Sequence, residues 1–373
     1  MDRIRLTLPD VRFSEVETDL RDVIESGWLT NGPRVGAFEA DVASYVGAGH
    51  GIATSSGTTA LHLALSSIGV GEGDEVVVPA YTFPATINAV LHCGGRPVLA
   101  DVQPDTFNID IEDLALRITD RTKAIMPVHQ FGLAADMAPI ADLADLYGLS
   151  VIEDAACALG ATYRGAPCGS LAAIACFSFH PRKVLTTAEG GMIVTDDEDL
   201  ADTCRLWRNH GMASTDGARS FVAPGYNFRM DELSAVLGIA QMKRLSSMVS
   251  RRRERATRLS DELDDLAWMQ TPYEPPDRMH TYQSYVVVLD DAVDRDSLIS
   301  QLDAAGIEAA PGATAVHTEP YFRERFNVQD DDLPVATDLD GRSLALPLFP
   351  RMKDEQLDRL VEALHSVDVE ERK

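Results

Sequence analysis

Between about residues 50 and 200, short β-branched runs alternate with stretches whose apolar residues recur at helical spacing. The run Val76-Val77-Val78-Pro79 predicts a strand buried on both faces, and a helix follows over 84–93. Further strands are predicted over 96–101, 124–128, 151–153, 175–179 and 191–195. Leu143, Leu146 and Tyr147 mark the apolar face of one intervening helix. Strands alternating with helices predict a mostly parallel, doubly wound sheet. Ligands of such sheets bind past the carboxyl ends of the strands, so chemistry is expected just after them.

Beyond residue 200 the pattern changes. Residues 230–269 predict one long charged helix, with 251–253 and 261–265 as solvated faces. The Pro-rich stretch 271–276 ends it. A strand over 282–289, a helix over 294–305, a strand over 343–348 and an amphipathic helix over 353–364 complete the chain. The expected organisation is α/β: a large domain over 1–248, including an N-terminal segment, and a small α+β domain over 249–373.

Composition narrows the partners. The 373 residues carry 59 Asp and Glu against 33 Lys and Arg, a formal charge of -26, which speaks against a nucleic-acid footprint. Apolar residues at 45% and charged residues at 25% exclude global disorder. The first residues have no signal-like apolar core, and no stretch has the length of a membrane span, so a cytoplasmic protein is expected. The five Cys are scattered without a C-x-x-C pair, and the nine His show no H-E-x-x-H pattern. Reduced thiols and no metal centre are therefore expected. Lysine is rare: only Lys123, Lys183, Lys243, Lys353 and Lys373 occur.

Four segments carry candidate chemistry. Thr54-Ser55-Ser56-Gly57-Thr58-Thr59-Ala60 precedes a helical pattern and reads as an N-cap or as an anion site at a helix start. Glu153-Asp154-Ala155-Ala156 ends an apolar strand in two carboxylates, as a cap or as a partner for a protonated ring nitrogen. Phe177-Ser178-Phe179-His180-Pro181-Arg182-Lys183 places a scarce lysine just past a buried strand, where a desolvated amine can form a Schiff base. Gly225-Tyr226-Asn227-Phe228-Arg229-Met230 offers an amide and a guanidinium suited to oxyanions. Together these are the parts required by pyridoxal 5′-phosphate.

In these segments, and in Asn31-Gly32-Pro33, Pro79-Ala80-Tyr81-Thr82-Phe83, Pro127-Val128-His129 and Leu344-Ala345-Leu346-Pro347-Leu348, the chain resembles the DegT/DnrJ/StrS sugar aminotransferases. The resemblance implies a fold-type I, aspartate aminotransferase-like transferase: a large domain with a mostly parallel mixed sheet between helices, plus a small C-terminal α+β domain. It makes Lys183 the Schiff-base lysine and proton carrier, and Asp154 the partner of the pyridinium nitrogen. It places Phe83 on the cofactor ring, and Gly57, Thr58, Thr59 and Ser178 around the phosphate. Asn227 would reach the phosphate of a partner subunit, in a homodimer with shared sites. Arg229 would meet an anionic group of the substrate. Trp28, Thr30, His180, His317 and Tyr321 would lie on the substrate side, although His180, like His129, reads equally as a structural histidine. Family members commonly have Gln or His three residues after the pyridine-pairing Asp, and this chain has Cys157.

The implied reaction moves an amino group, with L-glutamate as donor, to a keto sugar, foremost a nucleotide-linked keto-6-deoxyhexose. The alternatives are a keto-cyclitol or other carbocycle as acceptor, and a non-catalytic cofactor-bound regulator. A branch that replaces the lysine by His and dehydrates its sugar is countered by Lys183.

Overall fold

The computed structural model describes residues 3–215 and 218–367. Seven strands form the central sheet: β1 (His50–Thr54), β2 (Glu75–Pro79), β3 (Arg96–Ala100), β4 (Thr122–Ile125), β5 (Ser150–Asp154), β6 (Ile174–Ser178) and β7 (Gly191–Thr195). Their order is β1-β7-β6-β5-β4-β2-β3. The pairs from β6 to β3 are parallel, and β7 runs antiparallel to both of its neighbours. The β2 run is apolar throughout because both faces are covered. Val76 and Val78 feed the core on one side, and Val77 feeds the core on the other. The fold is the mostly parallel α/β architecture that the strand–helix alternation predicts.

The stretch 230–269 is two helices, not one: Glu232–Met242 and Leu245–Leu263. Neither Gly nor Pro makes the break. Arg244 lies in the turn and is held from outside, donating to the Asp10 carboxylate and carbonyl at 2.8 Å each and to Glu15 at 2.9 Å. The expected solvated face at 251–253 also fails at its centre. Arg252 is 1% exposed and donates to the carbonyls of Tyr282, Gln283 and Leu348 at 3.0–3.2 Å. Burial without a carboxylate lowers its pKa to about 10. The helix is a spine: Leu245 and Val249 pack in a large-sheet core, and Ala256, Leu259 and Leu263 pack in the core of the C-terminal sheet.

That second sheet is antiparallel, in the order Met269–Gln270, Tyr285–Leu289, Ser343–Leu346, Ala310–Pro311. The 282–289 strand starts three residues late because Tyr282 has φ of 50°, which leaves the extended region. The 343–348 strand ends at Leu346. Ile4 packs in this core and exchanges backbone bonds with Gly306 and Glu308. The helix Met137–Tyr147 forms as expected but buries Met137, Ile140 and Ala144, and leaves Leu146 and Tyr147 exposed.

Candidate active site

The sheet registers bring the motifs to one edge. Thr54, Gly191 and Ser178 are consecutive partners across β1, β7 and β6, and Asp154 lies opposite Cys176. At the end of β1, Ser56 caps the helix Gly57–Ser67: its hydroxyl accepts from the Thr59 N–H at 3.1 Å. The Thr59 hydroxyl in turn accepts from the Ser56 N–H at 3.0 Å. Thr59 is thus engaged in this reciprocal cap. The first N–H groups of a helix have no partner within it and favour an anion. Gly57 is small for a reason, since a Cβ there would lie 2.7 Å from Ser178 Cβ and 3.0 Å from its hydroxyl. Gly57→Ala is expected to push Ser178 aside and weaken pyridoxal phosphate binding about ten-fold without unfolding the protein. Titration of the cofactor-free protein, followed by fluorescence, measures this.

Successive residues of β5 point to opposite faces, so its two terminal carboxylates do different work. Glu153 is fully buried and accepts N–H bonds from Gly169, Leu171 and Ala172 at 2.8–2.9 Å. It also lies 2.8 Å from His129 Nε2. His129 Nδ1 accepts from the Ala135 N–H at 3.1 Å, so the ring proton sits on Nε2 and goes to Glu153. Cys168 lies beside this pair, within 4.8 Å, in a metal-like trio. The carboxylate is already filled by N–H donors, and the trio reads as a latch on the strand end. This gives His129 its structural role. Glu153→Ala strands the buried Gly169 N–H and His129 Nε2–H and the half-buried Leu171 and Ala172 N–H groups, and is expected to cost about 3 kcal/mol or more, read by urea unfolding.

Asp154 faces the crevice side and is 3% exposed. Its Oδ2 accepts from the Thr86 hydroxyl at 2.8 Å, and its Oδ1 accepts from the Ala156 N–H at 3.2 Å. Burial raises its pKa, against these two bonds and the charge of Lys183. Lys183 stands on the loop after β6, and its Nζ donates to Cys157 Sγ at 3.1 Å. That loop is fixed at its base: the Thr187 N–H and the Thr186 hydroxyl both bond the Phe179 carbonyl, and Gln241 clamps Thr186. The Cys157 substitution thus places a thiol directly on the lysine. His180 accepts from the Arg182 N–H through Nδ1 at 3.2 Å, and burial lowers its pKa.

Phe83 is 73% exposed, so it is not core packing. The segment 225–229 joins the turn before the Gly57 helix through the Ser55 N–H bond to the Phe228 carbonyl at 2.9 Å. Arg229 donates to Asn209 at 2.8 Å, and the exposed Asn227 bridges Asn209 by its backbone. Trp28 is exposed and donates from its ring to the Thr30 carbonyl at 3.1 Å. Thr30 pairs with Asp231. Glu232, absent from the sequence expectations, accepts N–H bonds from Gly32, Arg34 and Val35 at 2.8–3.0 Å and pins the Asn31-Gly32-Pro33 turn. Tyr321 is exposed, but His317 is fully buried with Nε2 2.9 Å from the Thr337 hydroxyl. His317 lies on the 3₁₀ turn Val316–Thr318, which packs inward.

A buried acid with one lightly used oxygen, an amine beside it, a helix start opened by Gly57 and an exposed aromatic face fit pyridoxal phosphate. The family model of the DegT/DnrJ/EryC1/StrS aminotransferases matches residues 12–365. The chain belongs to this family. It is a sugar aminotransferase with pyridoxal 5′-phosphate as its cofactor. It is 39% identical to the spore coat polysaccharide biosynthesis protein SpsC of Bacillus subtilis, over 97% of this chain and 96% of that protein. It is 40% identical to the GDP-perosamine synthase of Caulobacter vibrioides, over 98% of each chain. The solved S. venezuelae DesV matches with a TM-score of 0.91 and 33% identity, over 99% of this chain and 100% of that one. The aminotransferase therefore has the fold-type I architecture that its motifs imply.

Proposed function

We propose that this sugar aminotransferase moves the amino group of L-glutamate to the ketone of a nucleotide-linked keto-6-deoxyhexose. The observation that carries the reading is the convergence of Lys183, Asp154 and the Gly57 helix start at one sheet edge. Likeness over the full chain to a GDP-perosamine synthase, whose name puts a nucleotide sugar on that protein, favours a nucleotide-linked acceptor over a free cyclitol.

Bound at this edge, the cofactor supplies an electron sink for the bond broken at Cα. The chain's residues do the rest. Asp154 accepts the pyridinium N–H through Oδ1, the oxygen with the longer bond. The N–H groups of Gly57 and Thr58, with the Ser178 hydroxyl, hold the phosphate. Phe83 would cover one ring face. Lys183 would carry the proton between Cα of the donor and C4′ of the cofactor, and Cys157 would accept from Nζ whenever the amine is free. Arg229 takes the anionic group of the substrate. A lysine in this place distinguishes an enzyme from a pure binder, which has no proton to move.

The proposal includes a cytoplasmic homodimer with Asn227 reaching across, and no nucleic-acid or membrane partner. Exposed Phe13, Ile24, Trp28, Leu29 and Phe221 support an apolar contact with a second copy. Among the described residues, no helix is long and apolar enough to cross a membrane. Light scattering at twice the chain mass supports the dimer, and a fully active monomer contradicts it. The acceptor is tested by offering glutamate with a panel of keto nucleotide sugars and free keto-cyclitols, and weighing the products. Amination confined to nucleotide sugars is expected. Amination confined to cyclitols overturns the assignment.

A further inference from the structure

Asp154 is oriented by a feature no motif announces. The Thr86 hydroxyl lies 2.8 Å from Asp154 Oδ2 and 2.9 Å from the Thr82 hydroxyl. Both threonines are 1% exposed, so water does not replace either partner. An ionised carboxylate only accepts, which fixes the direction of the chain: Thr82 donates to Thr86, and Thr86 donates to Asp154. Hydrogen bonds in such a row polarise one another and strengthen in a water-free setting.

Thr82 has a second attachment. It lies in the two-residue strand Tyr81–Thr82, which pairs with Thr314–Ala315, so that Thr82 is opposite Thr314. The neighbouring Tyr81 hydroxyl accepts from the Ala313 N–H at 2.8 Å and bonds Ser343 in the C-terminal sheet. The relay therefore starts on a segment stitched to the C-terminal part of the chain and ends on the carboxylate that meets the cofactor.

We propose that Thr86, backed by Thr82, is a positioning residue for the cofactor: its short bond to Oδ2 fixes the rotamer of Asp154, so that Oδ1, which holds only the longer Ala156 N–H bond, is presented to the pyridinium nitrogen. This rests on the pyridoxal phosphate reading of the site and adds a residue to it. The ring nitrogen gains a preorganised acceptor, and the C-terminal part gains a mechanical link to it. Nothing is transferred along the relay; each hydroxyl keeps its proton while Asp154 is ionised.

The test compares native protein with Thr86→Val, Thr86→Ser and Thr82→Val, each stripped of cofactor and titrated with pyridoxal phosphate. Valine keeps the volume of Thr86 and removes the donor; serine keeps the donor. Thr86→Val is expected to weaken pyridoxal phosphate binding about ten-fold, the scale of a lost bond to a charged group. It is also expected to shift the pH profile of bound-cofactor absorbance, which a purely structural methyl-for-hydroxyl change leaves in place. Thr86→Ser is expected to restore both, and Thr82→Val to move both in the same direction by less. Native affinity with an unmoved profile in Thr86→Val overturns the proposal. Should Thr86→Val lose its native circular dichroism, Thr86→Ser and Thr82→Val decide: a native-like Thr82→Val, or a Thr86→Ser as weak as a deletion, overturns it. Failure of the native protein to bind pyridoxal phosphate refutes the cofactor reading instead.

Discussion

Lys183→Ala is expected to lower kcat for aminotransfer about 10³-fold, with the cofactor still bound. Two functions vanish together: the amine that forms the Schiff base, and the group that moves the proton on and off Cα. The rest of the pocket persists, because the Gly57 helix start, Ser178 and Asp154 are held by bonds that do not pass through Lys183. Binding and turnover should therefore separate, with pyridoxal phosphate affinity changing far less than rate. Cys157 loses its donor at 3.1 Å but is half-buried and keeps access to water, so little stability is at stake. A small exogenous amine is expected to return part of the rate by entering the space left by the side chain. Loss of less than about ten-fold contradicts the role of Lys183.

Asp154→Asn is expected to lower kcat about 10²–10³-fold, the scale of removing one preorganised charge partner from a buried site. The amide keeps an acceptor for Thr86 but cannot hold the pyridinium proton as a carboxylate does. Stability of the cofactor-free protein should move the other way. Burial raises the Asp154 pKa, so the ionised form is favoured less in the folded than in the unfolded chain. That penalty is absent below the ordinary carboxylate range and grows as pH rises towards the raised folded value. At neutral pH the neutral Asn escapes it, which outweighs the loss of the acceptor for the Ala156 N–H, and thermal melting of the cofactor-free variant is expected to be no lower than native. A variant that loses activity only because it melts earlier contradicts this argument.

Much of the architecture was legible because the strands of the large sheet are short apolar runs covered on both faces. Val76, Val77 and Val78 need no tertiary information to be read as buried. The candidate site was legible for a related reason. Lysine is scarce in this chain, and Lys183 follows the end of β6, where ligands of such sheets sit. Long-range partners were not legible. The turn at Arg244 is set by Asp10 and Glu15, more than two hundred positions away in sequence. Arg252 sits in a charged run, and only the carbonyls of Tyr282, Gln283 and Leu348 make its burial tolerable. Thr86 and Glu232 carry no motif; their signal is a buried polar side chain whose partner appears only after folding. The burial of His317 has the same origin, since its hydroxyl partner Thr337 lies twenty positions further along the chain.

The formal charge of -26 sits beside a site built for anions. The two are compatible because the positive character is local. It comes from Lys183, Arg229 and a helix start rather than from the surface as a whole. The acidic shell bears on solvent and solubility.

The most direct test of the central claim, that Lys183 is the residue on which the cofactor is carried, is borohydride reduction of the purified holoenzyme followed by peptide mapping. The cofactor mass is expected on the peptide containing Lys183. Its attachment to Lys123, Lys243 or Lys353, or its complete release on denaturation, would contradict the account.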